Sequence, residues 1–137
     1  QYQDFCRETL VDSGGDFWKM VEELFHQVLY RDYSGRLARL FQNVLTYAEA
    51  EKFVKILRES GGDGKKMDEW MYEQVDKSQL RIESLEEFRV LIEMCMLAIL
   101  MAFAQRYKDK ESIESVEWSF FRKMDFLKNG VLKHKES

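Results

Sequence analysis

From Met94 to Ala104 the chain carries eleven residues with no polar side chain on any face. A helix that is apolar all round is stable only when other helices or lipid surround it. Eleven residues fall well short of the roughly 20 that a membrane span needs, so the sequence predicts protein on every side. The flanks complete the element. Ser84 and Glu87 form a capping box, with the serine hydroxyl and the glutamate carboxylate each serving an early backbone N–H. Glu86 and Glu87 lie at the positive end of the helix dipole, and Arg106 and Lys108 at the negative end. The spacing predicts one helix over about 84–107, with the rest of the chain wrapped around it.

The rest of the chain suits that role. At 137 residues it is one domain, large enough to bury about two thirds of its unfolded surface. It has no proline and only seven glycines, which favours uninterrupted helices over a sandwich of short strands. The expected fold is therefore all-α: a single globular bundle of six to seven helices spanning 1–137 around one buried hydrophobic helix, with a frayed tail at 133–137. Because the chain begins at Gln1, a piece of a longer protein is one expected reading.

One-sided stripes follow in order. Tyr2, Phe5, Cys6 and Leu10 mark a short helix that stops at Ser13-Gly14-Gly15. Phe17, Met20, Val21, Leu24, Phe25, Val28 and Leu29 mark the cleanest amphipathic stripe, opened by Asp16 as N-cap. Two helices are expected over about 35–45 and 47–59, and Ser60 to Gly64 must be a loop. Met67, Trp70, Met71 and Val75 share one face of a helix over about 65–76. Lys77 to Glu83 suits an extended connector. The last helix, about 112–128, turns Ile113, Val116, Phe120, Phe121, Met124 and Leu127 inward and ends at Asn129-Gly130.

No constellation for catalysis emerges, and an enzyme is not expected. Glu23 and His26 have the spacing of a di-iron ligand pair, but the only other histidine, His134, has Val131 three residues before it. No metal and no cofactor is therefore expected. Two histidines leave few general bases, and the Gly-Gly pairs lack the surroundings of a phosphate loop. Asp68, Glu69 and Glu73 read as a solvated helix face. Cys6 and Cys95 read as free thiols in a reducing compartment, which points to an intracellular, cytoplasmic or nuclear location. Were they bonded, a processed extracellular four-helix signalling protein would become the third reading.

The positive signal is soft and aromatic surface. Met67, Trp70 and Met71, with Met94, Met96 and Met101 on the central helix, are the residues that make adaptable apolar contacts. Trp18 and Trp118 fall beside their stripes and are expected to be partly exposed. The leading reading is a non-enzymatic interaction module that takes a partner helix into an apolar groove. Phe41, Met67, Trp70 and Met71 would line the groove, and Arg36 and Arg39 would meet an acidic partner. The runner-up is a small helical subunit of a nucleoprotein assembly, using Arg31, Arg36 and Arg39 or the basic end of the chain. A formal charge of −4 weighs against it.

The layout, one hydrophobic helix wrapped by amphipathic ones, resembles that of the groove-binding apoptosis regulators. Their Asn-Trp-Gly-Arg signature is absent, since Trp18, Trp70 and Trp118 are followed by Lys19, Met71 and Ser119. In size and in having a late hydrophobic helix, the chain is also similar to small helical subunits of RNA-guided effector complexes. Neither likeness carries function. If the central helix is enclosed on every face, a charge at Leu97 or at Ile99 should abolish folding. Loss of helical circular dichroism in both Leu97→Asp and Ile99→Asp is the expected outcome.

Overall fold

In the computed structural model of the protein, residues 2–31, Lys52 and 64–131 are described, and every regular element among them is helical. Helix α1 (Tyr2–Asp12) leads into α2 (Phe17–His26), which runs on into a π-helical turn, Gln27–Arg31. Helix α3 (Gly64–Gln74) is followed by a 3₁₀ turn, Lys77–Gln79, then α4 (Leu85–Tyr107) and α5 (Ile113–Asn129). The all-α fold is the one expected. Five α-helices stand among the described residues, slightly fewer than six or seven, and the helices suspected over 35–45 and 47–59 lie outside them, as does the tail at 133–137.

The ends are set by local chemistry. Asp16 Oδ1 accepts from Lys19 N at 3.1 Å, Ser84 Oγ from Glu87 N at 3.2 Å, and Ser112 Oγ from Ser115 N at 3.2 Å. Glu87 reaches back as expected, but it accepts from Glu83 N, at 2.7 Å, one residue before the cap. Gly130, at φ 80, closes α5 by donating to Phe126 O at 2.8 Å. The connector after α3 is not wholly extended, because Asp76 caps a 3₁₀ turn by accepting from both the hydroxyl and the N–H of Ser78. Those bonds, the hydroxyl's first, also hold the Asp76 carboxyl below the ordinary carboxylate range.

Aromatic rings join α2 to the last two helices. Phe17 meets Phe88 of α4 edge-on at 5.5 Å, and Phe25 stacks on Phe120 of α5 at 3.9 Å. All four rings are fully buried. Each such burial contributes about 1.5–3 kcal/mol, and aromatic pairing adds to that. Helices α4 and α5 pack on each other, so α2 underlies them as a pair. The far end of α4 is tied to the π-helical turn by Tyr107, whose hydroxyl donates to Leu29 O at 3.0 Å. Helices α1 and α3 pack together and close the other side of the core with Cys6, Leu10, Met67, Met71 and Val75.

One glycine is demanded by that closure. Gly15, at φ +92, accepts from Asp76 N through its carbonyl at 2.8 Å, and a Cβ there would lie 2.5 Å from Gln74 O. Backbone cannot yield as a flexible side chain could. We expect Gly15→Ala to lower stability by about 2 kcal/mol or more. Gly14→Ala, at φ +71 in open space, should lose only about 1 kcal/mol of backbone strain. Urea unfolding of the pair checks both, and equal losses would show that the approach of Gln74 is unimportant.

Candidate functional site

Helix α4 has two apolar faces, and only one is used inside the domain. Its inner face carries Phe88, Ile92, Cys95, Ile99, Ala102 and Phe103, all buried. Half a turn round stand Val90, Met94, Leu97 and Met101, at steps of four, three and four residues. Val90, Met94 and Met101 keep 58%, 44% and 42% of their surface exposed, and Leu97 is half-buried. Burial on every face is thus what the sequence predicts, and this one stripe departs from it. Ile99 keeps the expectation that a charge would unfold the domain, whereas Leu97 belongs to the outer stripe.

Helix α5 has the same division. Val116, Phe120 and Met124 are buried, while Trp118 on the opposite side is 71% exposed and Phe126 is exposed below it. Between them Arg122 lies over the Phe126 ring, 4.7 Å from its centre, and pairs with Asp125 at 3.4 Å. Because α2 contacts both helices through Phe88 and Phe120, each of these outer faces is turned away from α2. Apolar side chains recurring along a helix at alternating three- and four-residue steps have the spacing of a coiled-coil seam, here with Glu93 on the same side between Val90 and Leu97. The seam is bounded by charge: Glu86 is exposed at its N-terminal end and Lys108 at its C-terminal end.

The residues expected to line a groove are placed elsewhere. Arg36, Arg39 and Phe41 lie outside the described residues. Met67 and Met71 are buried in the core on α3. Trp70 is half-buried beside them, with the Arg7 guanidinium 6.0 Å from its ring centre. Asp68, read from sequence as part of a solvated face, is buried, because Arg89 of α4 reaches it at 3.4 Å and also lies 3.8 Å from Glu69. A buried carboxylate beside a guanidinium positions α3 on α4. Of the soft residues named from sequence, Met94 and Met101 do reach the surface. Val90 and Leu97 were missed, although their spacing from those methionines was in plain view.

Other candidates resolve into packing. Glu23 pairs with Lys19 at 3.1 Å, and His26 sits among the rings of Phe25, Tyr30 and Phe121. Lys123 donates to Ser119 Oγ at 2.9 Å, and burial lowers its pKa. Both cysteines are free. Burial pushes the Cys6 thiol up to about 11 and the Cys95 thiol up to about 12. The thiolate is the reactive form, so neither should be labelled by iodoacetamide at pH 8 in the folded protein, and both should be once it is unfolded. The raised values also carry a sign. The stability they confer is complete below pH 9, the ordinary thiol value, and is lost as pH rises through 11 to 12. Rapid labelling of the native protein would contradict this packing.

No described helix is long and apolar enough to cross a membrane. A family model described as tetracyclin repressor-like, C-terminal domain, matches residues 16–131. No curated protein and no solved structure matches the chain.

Proposed function

The chain belongs to the tetracyclin repressor-like C-terminal domains, and from that premise we propose that it is the dimerisation and ligand-binding part of a transcription regulator. Such domains are typically helical and non-enzymatic, and serve those two roles. The observation that carries the reading for this chain is the outer face of α4. Val90, Met94 and Met101 are left exposed there, with Leu97 between them half-buried against the core, and a second copy of the chain supplies what would cover them. The function is thus protein–protein interaction, as composition suggested, but the interacting surface is α4 with α5, and the partner is the chain itself.

The groove reading has less behind it, because Met67 and Met71 are committed to the core. Nucleic-acid contact through the basic residues of α5 is also the weaker reading, since Arg122 is engaged by Asp125 and Phe126, and Lys123 by Ser119. A regulator acts inside the cell, and two unpaired, buried thiols suit a reducing compartment.

Sedimentation should show a dimer for the whole chain. Replacing Met94 and Met101 together by Asp puts two charges in the seam while leaving the inner face intact. We expect the dissociation constant to rise by a factor of about 100 or more, with helical circular dichroism unchanged. A wild-type chain that sediments as a monomer at every concentration, or a double variant that dimerises normally, would overturn the reading.

A further inference from the structure

Two uncommon pieces of backbone lie near the end of α4, and adjacent side chains of that helix touch both. The first is the π-helical turn Gln27–Arg31 that follows α2. At its start the Gln27 N–H is shared between the carbonyls of Glu23 and Leu24, where the regular ladder gives way. The second is Lys110, in the loop between α4 and α5, which holds φ at 60 without being glycine. A left-handed residue with a side chain persists only where its surroundings fix it. Bonds on both sides do so here: Glu111 N donates to Gln105 O at 3.0 Å, and Asp109 N to Ala104 O at 3.1 Å.

Tyr107 and Arg106 connect the two. The Tyr107 hydroxyl donates to Leu29 O inside the turn at 3.0 Å, and its ring lies on that of Phe103, 4.6 Å between centres. The Arg106 guanidinium lies 5.9 Å from the centre of the Tyr107 ring, and its Nη1 donates to Glu111 O at 3.1 Å. From the carbonyl of Leu29 to that of Glu111 the contacts are continuous.

We propose that Gln27–Arg31 is a two-state turn, π-helical when latched by the Tyr107 hydroxyl and α-helical when released, and that Arg106 couples the latch to the loop before α5. The inference goes beyond the proposed function and does not rest on it. A π turn and an α turn of the same residues differ by one residue in hydrogen-bond register, an N–H reaching five residues back rather than four. Both states keep their backbone bonds, so the choice between them falls to what the surroundings add. Val28 and Leu29 are buried in the turn, while Tyr30 is exposed and rests on the His26 ring at 5.5 Å. Rewinding to the tighter pitch turns the Leu29 carbonyl about the helix axis and away from Tyr107. The hydroxyl therefore favours one state only, which is the condition for a contact to shift an equilibrium. The loop acts through the same contacts in reverse. When Glu111 moves, Arg106 loses its acceptor, and the Tyr107 ring loses the guanidinium that lies against it. Packed side chains joined to a two-state element are a physical route for such coupling.

Tyr107→Phe in the full chain tests the latch, since it removes one oxygen and keeps the ring on Phe103. One hydrogen bond of this kind shifts an equilibrium by roughly two- to tenfold. Amide exchange followed residue by residue by NMR should therefore speed up about fivefold at 28–31, while 20–24 and 92–99 keep their rates within about twofold. Scalar couplings across the hydrogen bonds should show the acceptors of the turn's amides moving from five residues back to four. Arg106→Gln should raise exchange both at 108–112 and at 28–31. An unchanged turn in Tyr107→Phe would overturn the latch, and so would equal acceleration in every helix, which marks a general loss of stability. Faster exchange with the five-residue register retained would show fraying and overturn the two-state turn. An Arg106→Gln variant that frees the loop alone would overturn the coupling.

Discussion

Phe88, Ile92, Ile99 and Phe103 must be dry, and the rest of the domain is arranged to keep them so. Helix α4 presents them along one face over its 23 residues, and α2 meets that face at Phe88 and the adjoining α5 at Phe120. A helix normally settles such a demand by being polar on its other side. Helix α4 is not, since its opposite face repeats the apolar pattern with Val90, Met94, Leu97 and Met101. One surface of the helix is satisfied within the chain, and the other leaves Val90, Met94 and Met101 exposed.

The remaining helices lock the inner contact in place by means that tolerate little change. Gly15 carries α1 and α2 past the end of α3 so closely that no side chain fits between them. Arg89 fastens α4 to α3 through the buried carboxylate of Asp68. An ion pair of this kind adds less to stability than to choosing one arrangement over others. Tyr107 fastens the far end of the helix to the π-helical turn after α2 through Leu29. A π-helical turn is a local departure from α-geometry that occurs mostly where function requires it, and here it touches the helix that carries the seam.

In the proposed reading the chain holds two copies together while its interior responds to a ligand, and both roles would draw on α4. Its inner face belongs to the core shared with α2, α3 and α5, so a rearrangement inside that rotates or slides α4 would also move its outer face. Unbranched methionines at positions 94 and 101 suit such a surface, because they repack at little cost when their neighbours shift.

Much of this was written in local pattern. The starts of α2, α4 and α5 follow from Asp16, Ser84 and Ser112, the end of α5 from Gly130, and the inner stripes from residues three and four apart, because caps and amphipathic period depend only on nearby residues. Burial of Cys95 and exposure of Trp118 follow in the same way. The sequence by itself therefore determined the helices and their inner faces, while its expectation of cover on every side of α4 does not hold at Val90, Met94 and Met101. Which face is covered was decided by the tertiary structure. Asp68 has the spacing of a solvated residue, and only the arrival of Arg89 from another helix buries it. Met67 and Met71 look like groove lining until α1 closes over α3. The outer stripe of α4 is as hydrophobic as its inner one, and periodicity cannot rank two apolar faces of one helix. Three-dimensional packing ranks them, because the phenylalanines of α2 and α5 reach only one.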